Sequence, residues 1–166
     1  MSREILQKDR QLQVIHNQLV KKVLGALEDM KRDAAVEYQA FWDDFGPVIK
    51  EGLLAYDASD KDKLLELVMV PSTAHATQLT SLADYVGRMK EGQDANYYLT
   101  GPTREAVARS PLLEAFVDQG YEGLLLSDTV DEVVRERAPR VADKPWMSVG
   151  RGRVKVHAAE ERKKAA

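Results

Sequence analysis

The side chains able to do chemistry in this sequence are thinly spread, and their spacing assembles few reaction centres. His16, His75 and His157 stand far apart and none falls in an HExxH or other paired-ligand spacing, so no metal site is predicted. Asp43-Asp44 and Glu160-Glu161 are adjacent carboxylates. Neighbours on a helix point in different directions, so a solvated face accounts for them better than a shared substrate. Ser2, Ser72, Ser110, Ser127 and Ser148 lack the glycine-flanked elbow of a nucleophile. Gly150-Arg151-Gly152 lacks the third glycine and following helix of a dinucleotide site and reads as an exit from the last strand. Arg3, in the opening MSREILQ, is by residue type alone an exposed guanidinium near a chain end.

The elements around these residues are better marked than the chemistry. Residues 9–32 place Leu12, Ile15, Leu19, Val23, Leu27 and Met30 at steps of three and four, one apolar stripe on a helix of about six to seven turns. A second helical pattern from about Ala35 to Phe45 carries Tyr38, Phe41, Trp42 and Phe45 on one face, which reads as core, before Gly46-Pro47 interrupts it. A third piece, Val48–Ala55, continues the helical coil.

From Ser59 onward short apolar runs alternate with helices, the pattern of a mostly parallel sheet in a small α/β/α sandwich. Ser59 with Asp62, and Ser81 with Asp84, resemble capping boxes; Ser110, Pro111 and Gly120 bracket another helix; Asp128 can cap one ending near Arg137. Strands are expected at Met69–Ser72, Asn96–Thr100, Gly123–Leu126 and Trp146–Val149, with Leu124-Leu125-Leu126 suited to a strand covered on both faces. Tyr97 and Tyr98 then point to opposite faces, and both are expected in the core. Arg88 and Lys90, ahead of Gly92, suit the negative end of a helix dipole.

Composition narrows the class. With 166 residues the chain can hold one ordinary core or two small units sharing one. It has no cysteine, which excludes disulfides, thiolate metal sites and cysteine nucleophiles and favours a cytoplasmic setting. The longest charge-free run, Leu67–Ala83, lacks the apolar density of a membrane span. Net charge is −3; residues 151–166 carry six Lys/Arg and two Glu, or +4, which leaves −7 on residues 1–150. That basic tail has no interleaved aromatics and reads as a solvated, flexible extension.

One resemblance runs through these elements. The motif SREILQ at Ser2–Gln7, VIHNQLVKKVL, the FW..FG turn at Phe41–Gly46, the KEG at Lys50–Gly52, the block Ser81–Gly101, the helix at Ser110 and LLLSDTVDE at Leu124–Glu132 resemble the Hsp90 family of chaperones in its bacterial HtpG type. The likeness covers about residues 2 to 149 and points to the C-terminal half of the middle segment. It makes residues 1–8 a catalytic-loop remnant, ahead of the helical coil at 9–58, the α/β/α subdomain at 59–150 and the basic tail at 151–166. In that family the loop arginine reaches toward the γ-phosphate of ATP held, with magnesium, by a separate N-terminal ATPase domain, and the loop glutamine assists. The resemblance assigns those roles to Arg3 and Gln7, acting in trans, with no cofactor bound by this chain itself.

The same resemblance implies a C-terminal dimerisation domain and unfolded or client proteins as partners, a monomeric fragment, and no hydrolysis by the fragment alone. Val133 or Val134 are candidate client contacts, with packing under the sheet the competing role. The sequence departs from the family at Val141-Ala142-Asp143-Lys144, where a Phe-Asp-Gly-Lys turn is usual, and in its basic tail. It also begins inside the catalytic loop, without the asparagine or the larger subdomain that precede it in the family. Two other classes compete: a stand-alone module binding protein or nucleic acid through the coil or tail, and a small α/β enzyme using its strand ends.

Overall fold

The computed structural model describes residues 3–55 and 58–149, the side chains of 3–8, 55, 58, 59 and 115 excepted. The basic tail expected at 151–166 lies outside the described residues. Two compact units are present, residues 1–44 and 45–166.

In the first unit α1 (Arg3–Asp33) begins six residues ahead of its expected start. Leu24 and Leu27 are buried, but Leu12, Ile15, Leu19 and Val23 are 55–62% exposed, so the apolar stripe is covered only toward the end of the helix. Helical bonding carries on across Ala34, which accepts the Tyr38 N–H at 2.9 Å and donates to the Met30 carbonyl at 2.8 Å. Helix α2 (Ala35–Ala55) then buries Tyr38 and Trp42, with ring centroids 6.2 Å apart. Phe45, at the end of that aromatic face, is 51% exposed and so is not core as expected.

Pro47 does not interrupt the chain as expected, because α2 continues through it. Proline removes one N–H and so orphans the carbonyl of Asp43; that residue is exposed, and water can take the missing donor's place.

In the second unit α3 (Ala58–Leu67) leads into β1 (Met69–Pro71), which pairs antiparallel with β2 (Leu79–Ser81). The expected parallel strand at 69–72 is therefore an antiparallel one. Helix α4 (Leu82–Gly87) follows, then β3 (Asn96–Thr100), α5 (Arg104–Ala108), α6 (Pro111–Val117), β4 (Leu124–Leu126), α7 (Asp131–Arg137), β5 (Arg140–Val141) and β6 (Lys144–Ser148). The four-stranded sheet has the order β4-β3-β6-β5; β3 is parallel to both neighbours and only β5 runs against β6. A Ser72–Leu124 bridge and the Thr73 N–H to the Gly123 carbonyl at 3.0 Å join the β1–β2 pair to the start of β4. A helical region followed by a small, mostly parallel α/β/α sheet is thus the fold expected.

Local chemistry explains the element ends. Ser81 caps α4: its Oγ accepts the Asp84 N–H at 3.1 Å and donates to the Asp84 carboxylate at 2.6 Å. Gly92 and Gly120 take φ of +80° and +76°, where a side chain would be strained. Tyr97, Leu113, Phe116, Leu125 and Val149 form the centre of the core, Tyr97 meeting Phe116 edge-on at 4.7 Å. All three residues of β4 are buried, as its leucine run implies. The buried phenol of Tyr85 accepts the Tyr97 N–H at 2.9 Å.

The β5–β6 hairpin turns on Ala142 and Asp143, both in the left-handed region at φ 49° and 59°. Fully buried Asn96 fixes it, its amide donating to the Lys144 and Val141 carbonyls at 2.6 and 3.1 Å. Arg88 and Lys90 lie past the end of α4 and serve other elements. Arg88 forks onto Glu122 at 2.8 and 2.9 Å and reaches Thr80 at 2.6 Å, while Lys90 donates at 2.8 Å to the Gln119 carbonyl beyond α6.

Candidate functional site

The side chains of Arg3 and Gln7 lie outside the described residues; their backbone forms the opening turns of α1, so a helix stands where a loop was expected. What the structure does describe is a crevice at the carboxyl ends of the parallel strands. In chain order β3, β4 and β6 stand second-first-third, so the crossover out of β3 runs to β4 on one side and the connection out of β4 runs back past β3 to the other. Such divergence opens the sheet edge where α/β proteins place their sites.

The cavity there holds about 400 Å³. Tyr98, Thr100 and Gly101 line it from β3, Ser127, Asp128 and Thr129 from the turn after β4, Ser148 from the end of β6, and Asp131, Glu132 and Arg135 from α7. One lining residue, Asp131, is held in a buried ion pair: the Lys50 Nζ of α2 lies 2.5 Å from Asp131 Oδ1, with side chains 6% and 4% exposed. The other Asp131 oxygen accepts the Asp128 N–H at 3.0 Å, and Asp128 accepts the Val130 N–H at 3.3 Å. Asp128 is therefore a turn residue rather than the cap of α7, whose capping position is Val130.

Tyr98 is half-buried and forms a cavity wall, so its assignment to the core is corrected; Tyr97 alone enters the core. The Arg135 guanidinium sits 4.5 Å over the Tyr98 ring and donates to Glu132 at 2.8 Å. Val134 is buried, which removes it as an exposed contact, whereas Val133 is half-buried beside exposed Glu132.

The lining hydroxyls face no imidazole, and the nearest ammonium is already bound by Asp131. Among the described residues no three His, Asp or Glu stand ready to hold a metal ion. Sequence reading missed the Lys50–Asp131 pair because each residue is a common surface type and they stand 81 positions apart.

Comparison with known proteins identifies the arrangement. The model of the Hsp90 protein family matches residues 1–166. The chain belongs to the Hsp90 family. It is 47% identical over 162 residues to the chaperone protein HtpG of Mycobacterium leprae, covering 98% of this chain and 24% of that one. It is 46% identical over 160 residues to HtpG of Salinispora tropica, covering 96% and 25%. This Hsp90-family chain thus spans about a quarter of the length of these curated relatives. Its fold is similar to the middle domain of a heat shock protein from Plasmodium falciparum, with a TM-score of 0.75 at 23% identity over 85% of this chain and 59% of that one. Among the described residues no helix is long and apolar enough to cross a membrane.

Proposed function

We propose that this chain acts within a cytoplasmic, multidomain, ATP-dependent chaperone, supplying Arg3 and Gln7 in trans to ATP bound with magnesium by an N-terminal domain. The observation that carries this reading is the family match over residues 1–166, which includes the SREILQ motif, together with relatives about four times as long. ATP is the substrate that brings the scissile phosphoryl group. A planar, permanently charged guanidinium at Arg3 stabilises phosphoryl charge that grows in the transition state, and the Gln7 amide orients the reacting groups beside it. Because the arginine comes from another domain, hydrolysis depends on domain closure. Residues 1–166 by themselves, as a monomer, do not hydrolyse ATP on this reading. Other partners are a C-terminal dimerisation domain and client proteins, with half-buried Val133 a contact point beside exposed Glu132.

The test is reconstitution. Mixing the chain with a separately expressed ATPase domain plus the preceding subdomain stimulates hydrolysis, and Arg3→Ala removes the stimulation while leaving complex formation, read by sedimentation, intact. Equal stimulation by both chains in a formed complex sinks the assignment. A second reading, a protein-interaction module, is favoured by the exposed Leu12, Ile15, Leu19 and Val23 on α1. Partner capture that survives high salt and is lost in Leu19→Asp supports it.

A further inference from the structure

A second cavity of about 460 Å³ lies between the segment after β1 and the α5–α6 arm. Its floor is apolar, made by the core residues Leu113 and Leu125, with Val117 39% exposed beside them. Its polar side carries Arg104 and Arg109 against the single carboxylate of Glu114. The Arg104 fork is already aimed, donating to the Ala76 and Thr77 carbonyls at 2.8 and 3.4 Å, and those bonds use two of its five donors. Arg109 is exposed. Ser72 is 1% exposed and lines the cavity; its Oγ accepts the Ala74 N–H at 3.2 Å and keeps its own hydrogen to donate.

An apolar floor beside two guanidinium groups selects an apolar body that carries an anion. Two arginines and the His75 imidazole against the one Glu114 carboxylate make the lining basic, which suits a terminal carboxylate. The Ser72 hydroxyl, and that of Ser110, which makes no side-chain cap bond, offer partners to a peptide group that a simple fatty acid lacks.

We infer that this cavity captures the carboxyl-terminal end of a polypeptide. The last side chain, an apolar one, rests on Leu113 and Leu125, and the terminal carboxylate faces Arg104 and Arg109. This is a docking function separate from any action on ATP.

The isotopically labelled chain is titrated with a short peptide ending in leucine with a free carboxylate, with its C-terminal amide, and with octanoate, reading backbone amide shifts. The free acid shifts residues 72–77 and 104–117 with a Kd of about 0.1–1 mM, and amidation weakens binding about tenfold. Arg109→Gln, at an exposed position, weakens the free acid about tenfold and leaves the amide unchanged. Equal binding of acid and amide, shifts confined elsewhere, no binding at all, or an unaffected Arg109→Gln would overturn the site. Octanoate competing as strongly as the peptide overturns the polypeptide assignment.

Discussion

Lys50 and Asp131 meet at 2.5 Å in the interior, one on α2 and the other on the first turn of α7, and Asp131 also holds the Asp128 N–H. The pair locks the end of the helical coil to the turn that lines the strand-end cavity. Its removal is costly in one direction only. Asp131→Ala removes the carboxylate that faces a buried ammonium and is expected to lower unfolding free energy by about 3–5 kcal/mol in urea denaturation, whereas the double change Lys50→Met with Asp131→Leu recovers most of that loss. A double variant as weak as the single one refutes this account.

Stability should fall at high pH. Burial pushes the Tyr38, Tyr85 and Tyr97 phenols up, and for Tyr97 the nearby Asp94 carboxylate adds to the effect. Unfolded tyrosine ionises near pH 10, and the folded groups do so only above it. The folded state therefore binds the proton more tightly: the stabilisation is complete below about pH 10 and is lost as pH rises through the folded values. Denaturation midpoints measured from about pH 8 to 12 should stay level and then decline.

Tyr85→Phe separates the phenol's two roles. It removes the acceptor for the Tyr97 N–H and the Gln93 amide, so a cost of about 1–3 kcal/mol is expected at neutral pH. The alkaline decline should become shallower in the same variant. A full-sized decline would assign it to other groups.

The β5–β6 turn has room for improvement. Ala142 and Asp143 both occupy the left-handed region, which asparagine and glycine take more readily. Ala142→Asn with Asp143→Gly is expected to stabilise by about 1 kcal/mol and raise the Tm by about 2–4 °C. An unchanged or lower Tm counts against strain at this turn.

Arg88→Lys tests the fork onto Glu122. Lysine keeps the charge but cannot span both carboxylate oxygens and Thr80 together. A loss of about 0.5–1.5 kcal/mol is expected, shrinking in concentrated salt.

What was legible in the sequence was local. Ser110-Pro111 and Gly120 mark α6 because capping, fixed proline φ and positive φ are decided within a few residues. The leucine run gave away β4 and its burial. Strands β2 and β5 escaped, being two or three residues long and lacking a period. Arg88 and Lys90 were assigned to their own helix because their partners Glu122 and Gln119 are about thirty positions away, beyond any local rule. The exposed part of the α1 stripe shows the same limit from the other side: periodicity says which residues share a face but not what, within one chain, covers it. The cavity wall was invisible for the reason its ion pair was, since it is written in two distant segments.

The sheet order also sets a timetable. Strand β3 takes its second neighbour from β6, where Asn96 faces Trp146 across fifty positions of chain. During synthesis β3 must therefore wait with one edge of its backbone N–H and C=O groups unpaired until the last strand emerges. A nascent chain stopped before Lys144 would present that edge to any extended segment nearby, so this chain passes through a stage in which it resembles the clients proposed as its partners.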